Sequence, residues 1–91
     1  MNGVQRIGEE RYRQKTEEGW TDEHDDQWQD DELARAAASY ALPNGCLDDR
    51  AYFWPWDEAE FKLSDHDRVR GLEKAGALIA AEIDRLQRAE T

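Results

Sequence analysis

Cysteine occurs once in this 91-residue chain, at Cys46, so no intramolecular disulfide can staple the fold. No apolar run approaches the ~20 residues that a membrane-crossing helix needs, and the first residues carry no apolar signal-peptide core. A cytoplasmic, reducing location is therefore expected. Apolar and polar residues nowhere alternate with period two over a useful length, which argues against strands beyond a short extended piece near 52–54. The six glycines, at 3, 8, 19, 45, 71 and 76, are scattered and form no loop that could cradle a phosphate. Basic residues are also missing from one long stretch: no Lys or Arg stands between Thr16 and Ala34.

That stretch instead carries nine carboxylates, Glu17, Glu18, Asp22, Glu23, Asp25, Asp26, Asp30, Asp31 and Glu32. Residues 16–61 hold fourteen Asp and Glu against only Arg35 and Arg50, while the rest of the chain holds eight acids against ten bases. The whole net charge of −10 thus resides in the middle half. Charge of one sign at this density weakens a fold unless something compensates it, and it disfavours nucleic acid and anionic lipid as direct partners. Basic proteins are the natural partners. Ninety-one residues suffice for one domain with a thin core. Four Trp, three Tyr and two Phe are nevertheless more aromatic side chains than a disordered chain of 37% charged residues keeps.

The expected fold class is mainly α: one small three-helix domain over 1–91, with an aromatic-rich connecting loop and a long C-terminal helix. Val69, Leu72, Gly76, Ile79, Ile83 and Leu86 recur at heptad-like intervals and predict a helix over about 65–89, entered through a capping box that begins at Ser64. Gly76 on that seam is expected to mark a close crossing. Leu33, Ala36, Ala37, Tyr40 and Ala41 predict a second helix over about 31–42, with acids at its positive end. A weaker stripe of Val4, Ile7 and Tyr12 predicts a first helix over about 2–18, stopped by Gly19. Tyr52-Phe53-Trp54-Pro55-Trp56 is expected to be a buried plug, followed by a helical turn at 57–61 capped by Asp57.

Four kinds of chemistry can be weighed on these residues. Asp22, Glu23, Asp25, Asp26, Asp30, Asp31 and Glu32 could imitate the phosphates of a duplex and occupy a basic nucleic-acid groove. Glu23-His24-Asp25-Asp26, with Glu17, Glu18 and Asp30, offers ligands of the kind Mg²⁺ or Mn²⁺ takes in nucleotide pyrophosphohydrolases. The last helix, however, offers only Glu73, Glu82, Asp84 and Glu90, which build no facing pair, so neither a metal site nor a catalytic site is assigned. Cys46, His24 and His66 match no zinc spacing and form no evident nucleophile and base pair. Trp20, Trp28, Trp54 and Trp56 are read first as core and second as a cage for a nucleotide base. An anionic ligand would need cations beside the rings, from Arg50, Lys62, Arg11, Arg13 or Arg68.

Arg6-Ile7, Glu10-Arg11, Arg13-Gln14, Glu18-Gly19-Trp20-Thr21, Glu23-His24-Asp25-Asp26 and Glu32-Leu33-Ala34, followed by Trp54-Pro55-Trp56, Phe61-Lys62 and 74–86, resemble in order a family of short tailed-phage and prophage proteins. The likeness spans nearly the whole chain and implies a bacterial host cell, with no functional residues to carry over. Members often have Gly directly before the Glu-Leu-Ala element, where this chain has Asp31. By size and acidity the chain also resembles anti-CRISPR proteins. The function expected is a counter-defence inhibitor, not an enzyme and without a cofactor, that binds a basic host protein such as a CRISPR effector complex. It would act as a monomer or homodimer. The alternatives are a metal-dependent nucleotide pyrophosphohydrolase and a nucleotide-sequestering module.

Overall fold

The computed structural model describes residues 1–43, 47–61 and 67–90. Among these the fold is helical with no strand: α1 Gly3–Thr16, α2 Asp22–Asp26, α3 Glu32–Ala41, α4 Leu47–Phe53, a 3-10 turn Glu58–Glu60, and α5 Arg68–Ala89. The expected long helices are present, with the two short helices α2 and α4 added. Tyr52 and Phe53 lie in α4 and not on an extended piece, and both are exposed. None of the described helices is long and apolar enough to cross a membrane.

Local chemistry sets the helix ends. Asn2 caps α1, its side chain accepting from Gln5 N while the Gln5 side chain accepts from Asn2 N. Gly19 stops α1 as expected, at a φ of 74° that favours glycine, and the next amide, Trp20 N, bonds back to Gln14 O at 3.0 Å. Asp67 caps α5 by accepting from Arg70 N at 3.0 Å. Ser64 and His66, like Asn44, Gly45, Cys46 and Lys62, lie outside the described residues. The last carbonyls of α3 are met by Arg68, whose guanidinium donates to Tyr40 O at 3.2 Å and Leu42 O at 2.8 Å and also contacts Ala41 O.

α5 is the spine, packed by α3 and α1, with α2 beside its far end and α4 on α3. The apolar core is Leu33, Ala36, Ala37 and Tyr40 of α3 against Ala75, Leu78 and Ala81 of α5. Its alanines let the two helices come close: a Cβ on Gly71 would stand 3.4 Å from Tyr40 O. The core therefore uses a different face of α5 from the heptad seam. Val69, Leu72, Ile79, Ile83 and Leu86 are all exposed. On α1 the expected stripe holds only at Ile7, for Val4 and Tyr12 are exposed and Glu10, Arg11 and Gln14 turn inward beside Ile7. Polar residues turn inward here because partners on other elements await them: Glu10 meets Arg70, and Arg11 meets Asp25.

Gly76 marks the α1 crossing, although a side chain and not a backbone fills its place. A Cβ there would lie 2.5 Å from Ile7 Cδ1 and 2.7 Å from Cγ1. Gly76→Ala gains roughly 1 kcal/mol of helix propensity but forces Ile7 outward at an overpacking cost of about 1–3 kcal/mol. The expected net result is a loss of about 1 kcal/mol in denaturant unfolding. Ile7→Ala combined with Gly76→Ala should recover more than the two single changes allow, and additive effects would refute the contact.

Candidate functional site

Trp20, His24 and Trp28 recur every fourth residue, and the turn after Gly19 together with α2 sets them along one line. Thr21 caps α2 by accepting from His24 N at 3.3 Å. The Trp20 and His24 rings stack in parallel with centroids 5.8 Å apart, and His24 meets the edge of Trp28 at 6.2 Å. Trp28 continues to Trp56 at 5.1 Å, Trp56 to Trp54 at 5.2 Å, and Trp54 to Tyr40 and Phe61 at 5.6 and 4.8 Å. These seven rings form one ribbon joining α2 to the segment around the 3-10 turn. Trp54 and Trp56 are thus half-buried walls and not a sealed plug. Trp54 is fixed by its indole N–H, which donates to Asp57 O at 2.9 Å, while Asp57 caps the 3-10 turn as expected.

Beside the ribbon lies a cleft of about 400 Å³, lined by the four Trp, His24, Tyr40 and Leu78 together with Glu10, Arg13, Gln14, Glu18, Glu60 and Lys74. That volume and the mix of apolar walls with a few polar groups are those of a small-molecule site. Its floor is polar. Glu10 takes both Nε and Nη2 of Arg13, at 2.8 and 2.9 Å, and Nη1 of Arg70 at 2.7 Å. Burial alone would push the Glu10 carboxyl up, but the bonds from Arg13 and Arg70 outweigh it and hold it below the ordinary carboxylate value. Arg13 is raised by Glu10 first and Glu18 second, so it stays charged at any accessible pH. The Lys74 ammonium stands over the Tyr40 ring at 5.4 Å.

Three polar atoms in these walls have no hydrogen-bond partner although they are buried: Gln14 Oε1, Trp28 Nε1 and Trp56 Nε1. A native structure pairs nearly every buried polar atom, since an unmade bond costs about 1–3 kcal/mol. All three belong to residues that line the cleft. One signal of it in the chain is the four-residue spacing of Trp20, His24 and Trp28. Of the cations considered for an aromatic cage, Arg13 lines the cleft and Lys74, not considered, joins it. Arg11 is committed to Asp25, Arg68 to α3 carbonyls, and Arg50 to Ser39 O at 2.7 Å.

The acidic run is divided by the fold. Asp25 is fully buried, its Oδ2 accepting from Arg11 Nη2 at 2.8 Å and its Oδ1 lying 3.0 Å from His24 Nδ1. A partner cannot reach it, so Asp25 leaves the expected contact set. Asp22 and Asp26 converge on Arg88 at 3.3 and 2.7 Å, raising that guanidinium chiefly through the Asp26 bond. Glu32 accepts from Asp30 N at 2.6 Å, next to Asp31 with its left-handed φ of 66°. Glu23, Asp30 and Asp31 are exposed, and among the described residues their side chains form no ion pair. No group of three or more His, Cys, Asp or Glu among the described residues is placed to hold a metal ion.

Removing one partner of the buried Arg11–Asp25 pair leaves an uncompensated charge, so Asp25→Ala should cost about 3–5 kcal/mol in urea unfolding. Arg11→Met with Asp25→Leu should recover much of that loss. Because the Glu10 carboxyl is lowered, its contribution is full above the ordinary value of 4.5 and is lost as pH falls further. Melting temperature followed by circular dichroism should drop below that pH, and Glu10→Gln should flatten the drop. Comparison of the chain with models of known protein families, with curated proteins and with solved structures found no match.

Proposed function

We propose that the protein is a binding module whose aromatic cleft holds a nucleobase-bearing small molecule, a nucleotide in particular. The observation that carries this reading is the set of unpartnered buried atoms in the cleft walls, Trp28 Nε1, Trp56 Nε1 and Gln14 Oε1. A base edge offers acceptors for the two indole N–H groups and an amino donor for the amide oxygen. Its faces suit the Trp rings, with stacking worth about 1–3 kcal/mol per base. Lys74 supplies a cation for a phosphate, while Glu10 and Glu18 are already engaged by Arg13. The role is sequestration and not turnover.

Titration of the protein with nucleosides and with their mono- and triphosphates, read by Trp fluorescence and melting temperature, tests the reading. At least one should quench fluorescence and raise the melting temperature with a Kd of about 1–100 μM, in the range of a single stacked and hydrogen-bonded base. Trp20→Ala, which removes a ring that contacts mainly His24, should weaken binding about tenfold, equivalent to the lower end of the stacking energy. Lys74→Ala should weaken nucleotides but leave the matching nucleoside unchanged. Silence across the whole set at millimolar concentration would overturn the proposal.

A second reading is favoured by the exposed Glu23, Asp30 and Asp31 and by the charge of the middle half. Here the acidic surface of a phage or prophage protein, acting in the host cytoplasm, docks on the nucleic-acid groove of a basic defence complex such as a CRISPR effector. Capture would be fast and salt-sensitive. Glu23→Lys, Asp30→Lys and Asp31→Lys together should abolish that capture and leave nucleotide binding in the cleft intact. Retained capture by the triple variant would remove this reading.

A further inference from the structure

α5 has two apolar faces, and the fold uses one of them, touching the other only where Ile7 of α1 covers Gly76. Ala77, Leu78 and Ala81 point into the molecule, each no more than 1% exposed. Roughly opposite them on the helix wheel run Val69, Leu72, Gly76, Ile79, Ile83 and Leu86, where Val69 is 52% exposed, Leu72 44%, Ile79 49%, Ile83 51% and Leu86 48%. The larger aliphatic side chains thus stand outside while alanines fill much of the inside. Five half-exposed side chains in one line present on the order of 400 Å² of apolar surface, the scale at which a patch on a single chain marks a contact site.

We infer that this face is the contact between two copies of the chain, paired antiparallel about a two-fold axis at the level of Ala77 and Leu78. The intervals along the seam are three, four, three, four and three, the same read forwards or backwards. A two-fold axis therefore sets Val69 against Leu86 of the partner subunit, Leu72 against Ile83 of the partner subunit, and Gly76 against Ile79 of the partner subunit. Every large side chain meets an apolar position, and the partner's Ile79 comes against the Ile7 that covers Gly76. The spacing of 3.5 residues is also that of a seam wound on another helix.

Charge agrees with this register. The charged residues flanking the seam are Arg68, Glu73 and Glu82. In the antiparallel pair they fall beside Ala89, Ala80 and Ala75 of the partner subunit, so no like charges meet. The two helix dipoles also oppose one another. Two stripes and their flanks remove about 1,000–1,200 Å² in total, at the low end for stable interfaces, so association belongs in the micromolar range. Each copy carries −10, so the pair tightens as salt screens their repulsion.

Sedimentation equilibrium of the full chain from about 5 to 500 μM brackets that range of Kd. The expected result is a monomer to dimer transition that shifts to lower concentration at high salt. Ile79→Lys and Ile83→Lys, at exposed positions, should each hold the chain monomeric with unchanged helical circular dichroism. In a Cys46→Ser background, Val69→Cys with Leu86→Cys should oxidise to a cross-linked dimer, and Val69→Cys alone should not. A monomer throughout the concentration range overturns the inference, as does cross-linking of Val69→Cys alone, which reports a parallel pair. If a lysine variant fails to fold, the wild-type mass and the cross-linking pattern decide the matter by themselves.

Discussion

The buried ion pair between Arg11 and Asp25 is the constraint on which the rest of this structure depends. It joins α1 to α2 across fourteen residues of chain and removes both groups almost wholly from water. Asp25 in turn holds His24 Nδ1, and His24 is stacked on Trp20 and edged by Trp28. The ion pair thereby sets the first wall of the cleft. It is not fully satisfied, because Arg11 Nε and Nη1 have no partner. A buried pair of this kind adds little net stability, but losing either partner would strand a buried charge, which ties α2 to one position on α1.

Around that pair the interior divides into two regions of different chemistry. Between α3 and α5 it is apolar and made of small residues, which brings backbones together but removes little surface per residue. Between α1 and α5 it is polar, with Glu10 shared by Arg13 and Arg70 and Gln14 donating to Glu10 Oε2 at 3.3 Å. The cleft opens where the regions meet, so it has aromatic walls and a charged floor. α4 is tied on separately by a reciprocal exchange, Ser39 Oγ donating to Arg50 O and Arg50 Nε donating to Ser39 O.

Much of this was legible in the residues. Helical periodicity placed the long helices, Gly19 marked its stop, and Asp57 marked its turn. The faces were harder to read. On α5 two apolar sets compete, and periodicity alone favours the bulkier one, whereas the choice is made by how near α3 must come. On α1 the inward residues are charged, and their partners lie at Asp25 and Arg70, separations that local patterning does not register. The acidic run looked continuous for the same reason. Arg11, Arg13 and Arg88 fold back onto it from α1 and α5, and among the described residues of the run only Glu23, Asp30 and Asp31 are both exposed and outside any ion pair.

The left-handed turn at Gly19 has a further consequence, for the order in which the chain assembles. By returning Trp20 N to Gln14 O it reverses the chain within six residues, so one wall of the cleft rests on contacts close in sequence. The other wall, Trp54 and Trp56, reaches it only across some thirty residues, after α3 and α5 have docked. Local contacts close early because they fix little chain, and distant ones close late. The cleft is thus a late feature of folding, complete only in the native chain, while the turn that begins it belongs among the first.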